Sequence, residues 1–306
     1  MIEGTKLNKI ESHFKKIYNC ITLILRKILS FYPQPNSYQC GPFALKYALI
    51  MIGIFKNEDQ LGITAGSTWW GGTDEIGLAR AAKKVNCKMK YIQSSNPDDA
   101  RRMLNEKLKK RIPCILSVNN WEHWLTVITY SAGKYVIVDS GQDHVVSVLN
   151  AKQLLRKWRY KDSDEGYISY DGYAVIPKNK VYTRAKFTVA KAKELMFERN
   201  KDLAIKWNEY FTDVMSIGKP RTKLTTNYIT FSEFLRRNES SLTRRVANWH
   251  GIPSYAELKK ILINMKYVAG VYDIIIPTED EHKALIDLSA LLMMYSCGKY
   301  GMDKIY

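Results

Sequence analysis

The chain has 306 residues, 46% of them hydrophobic and 12% aromatic, which supports a folded core and excludes a disordered polypeptide. Its formal net charge of +17 favours an anionic partner, with an acidic protein, a cell wall and a nucleic acid all left open. No nucleic-acid-binding motif is present, so a generally solvated basic surface is the preferred explanation. An odd number of scattered cysteines indicates free thiols and a reducing compartment, and no Cys/His spacing predicts a zinc site or another cofactor.

Residues 1–32 are predicted to form a basic amphipathic arm. Apolar residues recur at helical spacing from Ile17 to Leu29, with lysines and arginines between them. Arg26 and Lys27 interrupt the apolar run, so no transmembrane segment is predicted, and no small-residue cleavage site predicts a signal peptide. A basic amphipathic helix can lie on a membrane surface, but packing on its own domain is preferred here. The protein is expected to be cytoplasmic or associated with a virion or phage.

Residues 33–178 are predicted to form an α+β catalytic domain, because helical patterns are followed by closely spaced strand patterns. The expected helices are 40–53, 74–84, 97–110 and 151–158, and the expected strands are 113–118, 123–130, 134–139, 143–149 and 168–176. A linker follows at Pro177–Lys180. Residues 179–306 are predicted to form a mainly α-helical domain without catalytic residues, with helices at 183–216, 231–239, 241–249, 254–265 and 279–296.

Cys40 stands where a nucleophile is expected. It precedes an apolar, helix-compatible stretch, so it lies near unpaired backbone N–H groups and the positive end of a helix dipole, which favour the thiolate. Gln34 lies six positions earlier, where its side-chain amide can donate to an oxyanion beside the Cys40 N–H.

His123 enters a β-rich run and Asp139 ends the next one, so adjacent strands can place the imidazole beside the carboxylate. Each residue taken alone has an ordinary structural explanation, as a small buried side chain or a turn residue. The order of the four residues and their flanking sequences favour catalysis instead. Four tryptophans flank this region and are interpreted either as the lining of a groove or as core: Trp69, Trp70, Trp121 and Trp124.

The stretch from Gln34 to about Pro177 resembles the papain-like cysteine peptidases that remove double-glycine leaders from bacteriocin precursors. The matching pieces are Gln34-x5-Cys40-Gly41-x-x-Ala44-Leu45, Gly71 to Ala82, and Ile112 to Val118. The resemblance implies a papain-like fold with Cys40 as nucleophile, His123 as base, Asp139 as its orienting group and Gln34 as oxyanion donor. The chain departs from the family pattern at Gln39, where an acidic residue is usual, and at Ser140, where a proline is usual.

Three functions remain open. The first is a thiol protease that hydrolyses a peptide bond of a peptide or protein substrate. The second is a cell-wall amidase or endopeptidase acting on peptidoglycan, which the basic charge favours. It is also favoured by a stretch from Ile229 to Phe234, with Gly251-Ile252-Pro253, that is similar to the lead-in of zinc D-alanyl-D-alanine carboxypeptidases, although the zinc-binding histidines and aspartate expected downstream are absent. The third is a non-catalytic papain-like module that binds a partner, and the presence of all four site residues counts against it.

Overall fold

A computed structural model describes residues 28–250 and 254–296. The predicted arm lies almost entirely outside the described residues, as do Cys20, Cys297 and residues 251–253. The predicted α+β class is confirmed: helices pack on an antiparallel sheet, and a mainly α-helical region follows toward the C-terminus.

The large sheet forms the centre of the first half of the chain. Its strands are β1 Cys87–Ser94, β2 Cys114–Val118, β3 His123–Ser131, β4 Lys134–Val138, β5 Val146–Asn150, β6 Arg159–Lys161 and β7 Ile168–Pro177. The strand order is β1-β7-β2-β3-β4-β5, with β6 pairing to β7, and all pairs are antiparallel. Strands β3 and β4 are therefore neighbours, as the site prediction requires.

Helices cover both faces of this sheet. They are α1 Cys40–Ile50, α2 Glu58–Ala65, α3 Glu75–Lys84, α4 Pro97–Lys109 and α5 Ala151–Trp158. Helix α1 is buried along its whole length, and α2 and α3 share a core with it on one face of the sheet. Helices α4 and α5 form a second core on the opposite face. Side-chain caps fix the start of several of these helices, including Asp74 for α3 and the capping box of Asn150 and Gln153 for α5.

The C-terminal half is built mainly from helices. They are α6 Val189–Leu195, α7 Lys201–Ile205, α8 Trp207–Ile217, α9 Phe231–His250, α10 Tyr255–Tyr272 and α11 Glu281–Ser296. A small sheet of order β8-β10-β9 joins them, from β8 Lys219–Pro220, β9 Tyr228–Thr230 and β10 Ile274–Pro277. Their apolar side chains form one buried cluster together with Phe43, Tyr47 and Ile50 of α1.

Several boundaries differ from the sequence prediction. The long helix expected at 183–216 is wrong: the chain forms α6, α7 and α8 with breaks between them, and the Asn200 side-chain amide donates to the Glu194 carbonyl at the first break. These breaks let Leu203 and Trp207 turn into the shared core. The two helices expected at 231–249 form one continuous α9. Helix α2, strand β1 and the small sheet were not predicted.

Candidate active site

Cys40 is the first residue of α1 and directly follows a 3₁₀ turn, Ser37–Gln39. The Gln39 side chain makes no hydrogen bond to cap this helix start. The next residue, Gly41, allows the loop before α3 to come close, because a Cβ at Gly41 would lie 2.7 Å from the Thr73 Cβ. The helix start is therefore held tightly against this loop, and Cys40 is only 5% exposed.

His123 and Asp139 meet as the strand prediction expects. His123 opens β3, and Asp139 directly follows β4. The imidazole Nε2 lies 2.6 Å from Asp139 Oδ1, and the Gly141 backbone N–H donates to the same carboxylate oxygen at 3.0 Å. Because Nε2 is engaged, Nδ1 is the ring nitrogen left for the interaction of His123 with Cys40.

The electrostatics of this group favour a charged imidazole. Burial by itself lowers the pKa of His123, but hydrogen bonds and charge interactions with Asp139 and Cys40 outweigh it and raise the pKa to about 9. Burial by itself raises the pKa of Asp139. The His123 hydrogen bond and charge, helped by the Gly141 N–H and by Lys157, outweigh that effect and lower the Asp139 pKa. The buried carboxylate thus faces an imidazolium at neutral pH.

Gln34 lies beside this group and is held at both ends of its amide. Its Nε2 donates to the carbonyls of Asn36 at 2.9 Å and Ser37 at 3.0 Å. Its Oε1 accepts a hydrogen bond of 2.5 Å from the Ser140 hydroxyl, and its backbone N–H donates to the Ser140 carbonyl at 2.9 Å. The carbonyls of Asn36 and Ser37 can only accept, so they fix which end of the Gln34 amide carries the donor, and Ser140 holds the other end.

The other described cysteines are in different surroundings. Cys87 and Cys114 are fully buried in β1 and β2. Burial raises the pKa of Cys87 to about 11, against a smaller opposing effect of Lys178. Burial also raises the pKa of Cys114 far above its ordinary value. Neither thiol lies at a helix start.

The four tryptophans divide into two kinds. Trp124 is buried, and its indole N–H donates to the Thr73 carbonyl at 2.9 Å, so it supports the loop that packs on Gly41. Trp69 and Trp70 are 76% and 72% exposed and contact each other edge to face. Trp121, two residues before His123, is 48% exposed. Three of the four are thus available to a ligand.

Two residues of the site escaped the sequence prediction. Ser140 was noted only as a departure from the family pattern, yet it holds Gln34. Gly141 holds Asp139 through its backbone and approaches the imidazole, since a Cβ there would lie 3.3 Å from His123 Cε1. The signal available in the sequence was their position directly after Asp139.

The described ranges contain no group of three or more His, Cys, Asp or Glu side chains that could hold a metal ion. Among the helices of the same ranges, none has the length and apolar character needed to cross a membrane.

No protein-family model and no curated protein matches the sequence. Solved structures do match. The peptidase domain of Streptococcus ComA, a bi-functional ABC transporter involved in a quorum-sensing pathway, is 18% identical at a TM-score of 0.37, over 48% of this chain and 98% of that one. A double-glycine-motif protease from an AMS/PCAT transporter, solved with its leader peptide, is 18% identical at a TM-score of 0.35, over 47% and 91%.

A C39-like peptidase from Bacillus anthracis is 14% identical at a TM-score of 0.37, over 49% of this chain and 95% of that one. At such identities and TM-scores the similarity alone does not assign an activity, which has to come from the geometry of the site.

Proposed function

We propose that this chain is a cysteine peptidase that hydrolyses a peptide bond through Cys40, His123 and Asp139, with Gln34 as oxyanion donor. The observation that carries the proposal is the position of His123. One side of its ring is held by the buried Asp139 carboxylate, and the ring also interacts with Cys40 at the start of α1. This is the nucleophile–base–orienter arrangement of thiol catalysis.

Acylation begins when the Cys40 thiolate attacks the substrate carbonyl carbon. The carbonyl oxygen becomes an oxyanion, which accepts hydrogen bonds from the Cys40 backbone N–H and from Gln34 Nε2. Both Nε2 hydrogens are donated to the carbonyls of Asn36 and Ser37 in this structure. One of these two hydrogen bonds therefore has to break before Gln34 can donate to the oxyanion. The tetrahedral intermediate collapses, the C–N bond breaks, and the His123 imidazolium gives its proton to the leaving amine.

Deacylation uses the same groups in the reverse sense. Neutral His123 takes a proton from water, whose oxygen attacks the thioester carbon. The C–S bond then breaks, the acid product leaves, and the proton left on the imidazole restores the imidazolium–thiolate pair. Asp139 stabilises the imidazolium at each stage and keeps Nδ1 directed to the sulfur.

The experiment is digestion of a proteome-derived peptide library and of purified cell wall, in parallel, by the full-length chain. We expect cleavage of peptides by the unmodified chain and none by Cys40→Ala. Cys87→Ala is the matched control, because it also removes a thiol, and it should retain activity. Cleavage of cell wall alone would replace the peptidase proposal with the amidase alternative. If the folded chain were inactive on both substrates, the non-catalytic, partner-binding module would be the remaining function.

A further inference from the structure

The turn between β2 and β3 has an unusual backbone. Three successive residues that are not glycine, Asn119, Asn120 and Trp121, have positive φ angles of 55°, 55° and 69°. Asparagine adopts this region at low cost, but a bulky side chain such as tryptophan does so rarely. Strained backbone of this kind persists where the surrounding structure enforces it, and it is found preferentially at functional sites.

The surrounding structure holds the Trp121 ring in place. The indole stacks on Tyr160 with ring centroids 3.7 Å apart and an interplanar angle of 7°. Its N–H donates to Asp171 Oδ2 at 3.0 Å, and the other oxygen of that buried carboxylate accepts from the Tyr91 hydroxyl at 2.5 Å. Even so, 48% of Trp121 remains exposed, two residues from His123. A rigid, half-exposed aromatic ring therefore lies two residues before the proposed catalytic base in the chain.

The chemistry of this surface selects one kind of ligand. The indole N–H is already donated to Asp171, and the other oxygen of that carboxylate accepts from Tyr91. The C–H face of a sugar ring can also stack on an indole, but the sugar hydroxyl groups then require polar partners, and the exposed part of the ring itself offers none. An apolar side chain needs only the area and the fixed position of the ring.

We propose that Trp121 is a specificity-determining residue that binds an apolar side chain of the substrate within a few residues of the scissile bond. This assignment rests on the proposed peptidase function. The ring acts as a preorganised contact, because its orientation is set by Tyr160 and Asp171 before any substrate arrives.

Trp121→Gly is the informative variant. Glycine accepts the positive φ of this position, so the change removes the ring and relieves the backbone strain, against the entropic cost that any glycine brings. Trp121→Ala removes the ring but keeps the strained backbone. The matched control is Tyr255→Ala, which removes a ring of similar exposure, 52%, from the start of α10. Thermal unfolding should show Trp121→Gly to be at least as stable as Trp121→Ala.

The kinetic test uses the peptide library and then two peptides that differ only in carrying leucine or serine at the preferred position. We expect Trp121→Gly to lower kcat/KM for the leucine peptide by about tenfold or more, mainly through KM, and for the serine peptide by less than about twofold. Tyr255→Ala should change neither value. An equal loss for both peptides, or a loss confined to kcat, would overturn the proposal.

A binding test separates this proposal from the proposed function. Full-length Cys40→Ala chain, with and without Trp121→Gly, is used to capture peptides from the same library and soluble muropeptides. Enrichment of apolar residues that disappears with Trp121→Gly supports the site even where the unmodified chain cleaves nothing. No enrichment, or capture of the muropeptides through their sugars in a Trp121-dependent way, would overturn the assignment.

Discussion

Cys40 differs from Cys87 and Cys114 in its surroundings, and alkylation should report the difference. Cys40 lies at a helix start beside a protonated His123, whereas burial raises the pKa of the other two thiols. The thiolate is the reactive form, so iodoacetamide near pH 7 should label Cys40 well before Cys87 or Cys114. Peptide mapping by mass spectrometry measures the three rates. Labelling of Cys87 or Cys114 as fast as Cys40 would contradict this reading of the site.

Ser140 should act through Gln34. Its hydroxyl donates to Gln34 Oε1, so Ser140→Ala leaves this amide oxygen without that donor and holds the Gln34 side chain less firmly. We expect Gln34→Ala to lower kcat by roughly 10²–10³-fold, as for loss of an oxyanion donor, and Ser140→Ala by a smaller factor with KM little changed.

A double-mutant cycle distinguishes this positioning role from a structural one. In the Gln34→Ala background, Ser140→Ala should cause almost no further loss of kcat, because the group that it positions is already absent. Two independent losses that multiply would show that Ser140 supports the site in some other way.

The charge on His123 sets the expected pH dependence. Its pKa is raised from 6.5 to about 9 in the folded chain, so the stabilisation from this charge is complete below about pH 6.5 and is lost as the pH rises through 9. The leaving amine needs the same proton, so kcat/KM should fall on the alkaline side near pH 9. Asp139→Asn removes a main cause of the raised pKa, and the alkaline limb of the pH–rate profile should move to lower pH. An unchanged limb would show that Asp139 does not control the base.

At the scale of elements, the start of α1 depends on a close contact with the loop before α3. Gly41→Ala would place a Cβ 2.7 Å from the Thr73 Cβ, so we expect a loss of about 1–3 kcal/mol in stability, together with displaced Cys40 and reduced activity. Gly62→Ala is the matched control in α2. Its Cβ would lie 3.4 Å from Pro42 Cγ, an ordinary contact, and alanine favours a helix, so about 0.5–1 kcal/mol of added stability is expected. Chemical unfolding measures both, and equal effects would contradict the close-contact argument.

The elements that the sequence predicted well are those with strong local signals. The helix from Asp74 follows a side-chain cap, and the strands around His123 and Asp139 are short, continuously buried runs rich in β-branched and aromatic residues, so these local signals agree with the fold. Strand β1 was missed although Lys88 and Lys90 alternate with Cys87, Met89 and Tyr91, because it lies at one edge of the sheet and is mostly exposed or half-buried, so its apolar signal is weak.

In the candidate site too, the residues that could be predicted are those with local sequence signals. Cys40, His123 and Asp139 stand at element boundaries, which are visible in a sequence. The contact of Ser140 with Gln34 and the contact of Trp121 with Asp171 join residues that are 106 and 50 positions apart in the chain. Such pairings depend on the packing of the whole fold, so no local pattern predicts them.

At the scale of the whole molecule, the boundary predicted at residues 178 and 179 separates two kinds of secondary structure but crosses a common core. Trp207 and Tyr272 from the helical half pack in the same buried cluster as Tyr47 of α1. The backbone of Phe31 also donates to Ala204, and Ala185 donates to Met51. The division into two domains therefore stays a prediction, as does the anionic partner inferred from the net charge.

Tyr272 is the sharpest test of this common core. Its hydroxyl donates to the Ile50 carbonyl at 2.7 Å, at the end of the helix that begins with Cys40, and accepts from the Trp207 indole at 3.0 Å. Tyr272→Phe leaves both partners buried without this bond, so we expect a loss of about 1–3 kcal/mol in stability. Tyr255→Phe, at an exposed ring, should cost almost nothing.

The shared core also predicts how the chain unfolds. Far-UV circular dichroism and the exposure of the fully buried Cys114 to alkylation should change in one transition, at a lower temperature in Tyr272→Phe for both probes. A chain cut after residue 178 loses the side chains that cover Phe43, Tyr47 and Ile50, and is expected not to fold by itself. Two separate transitions, or a folded fragment 1–178 that still cleaves a small peptide, would show that the α+β half is an independent domain and that the helical half serves only to bring it to its target.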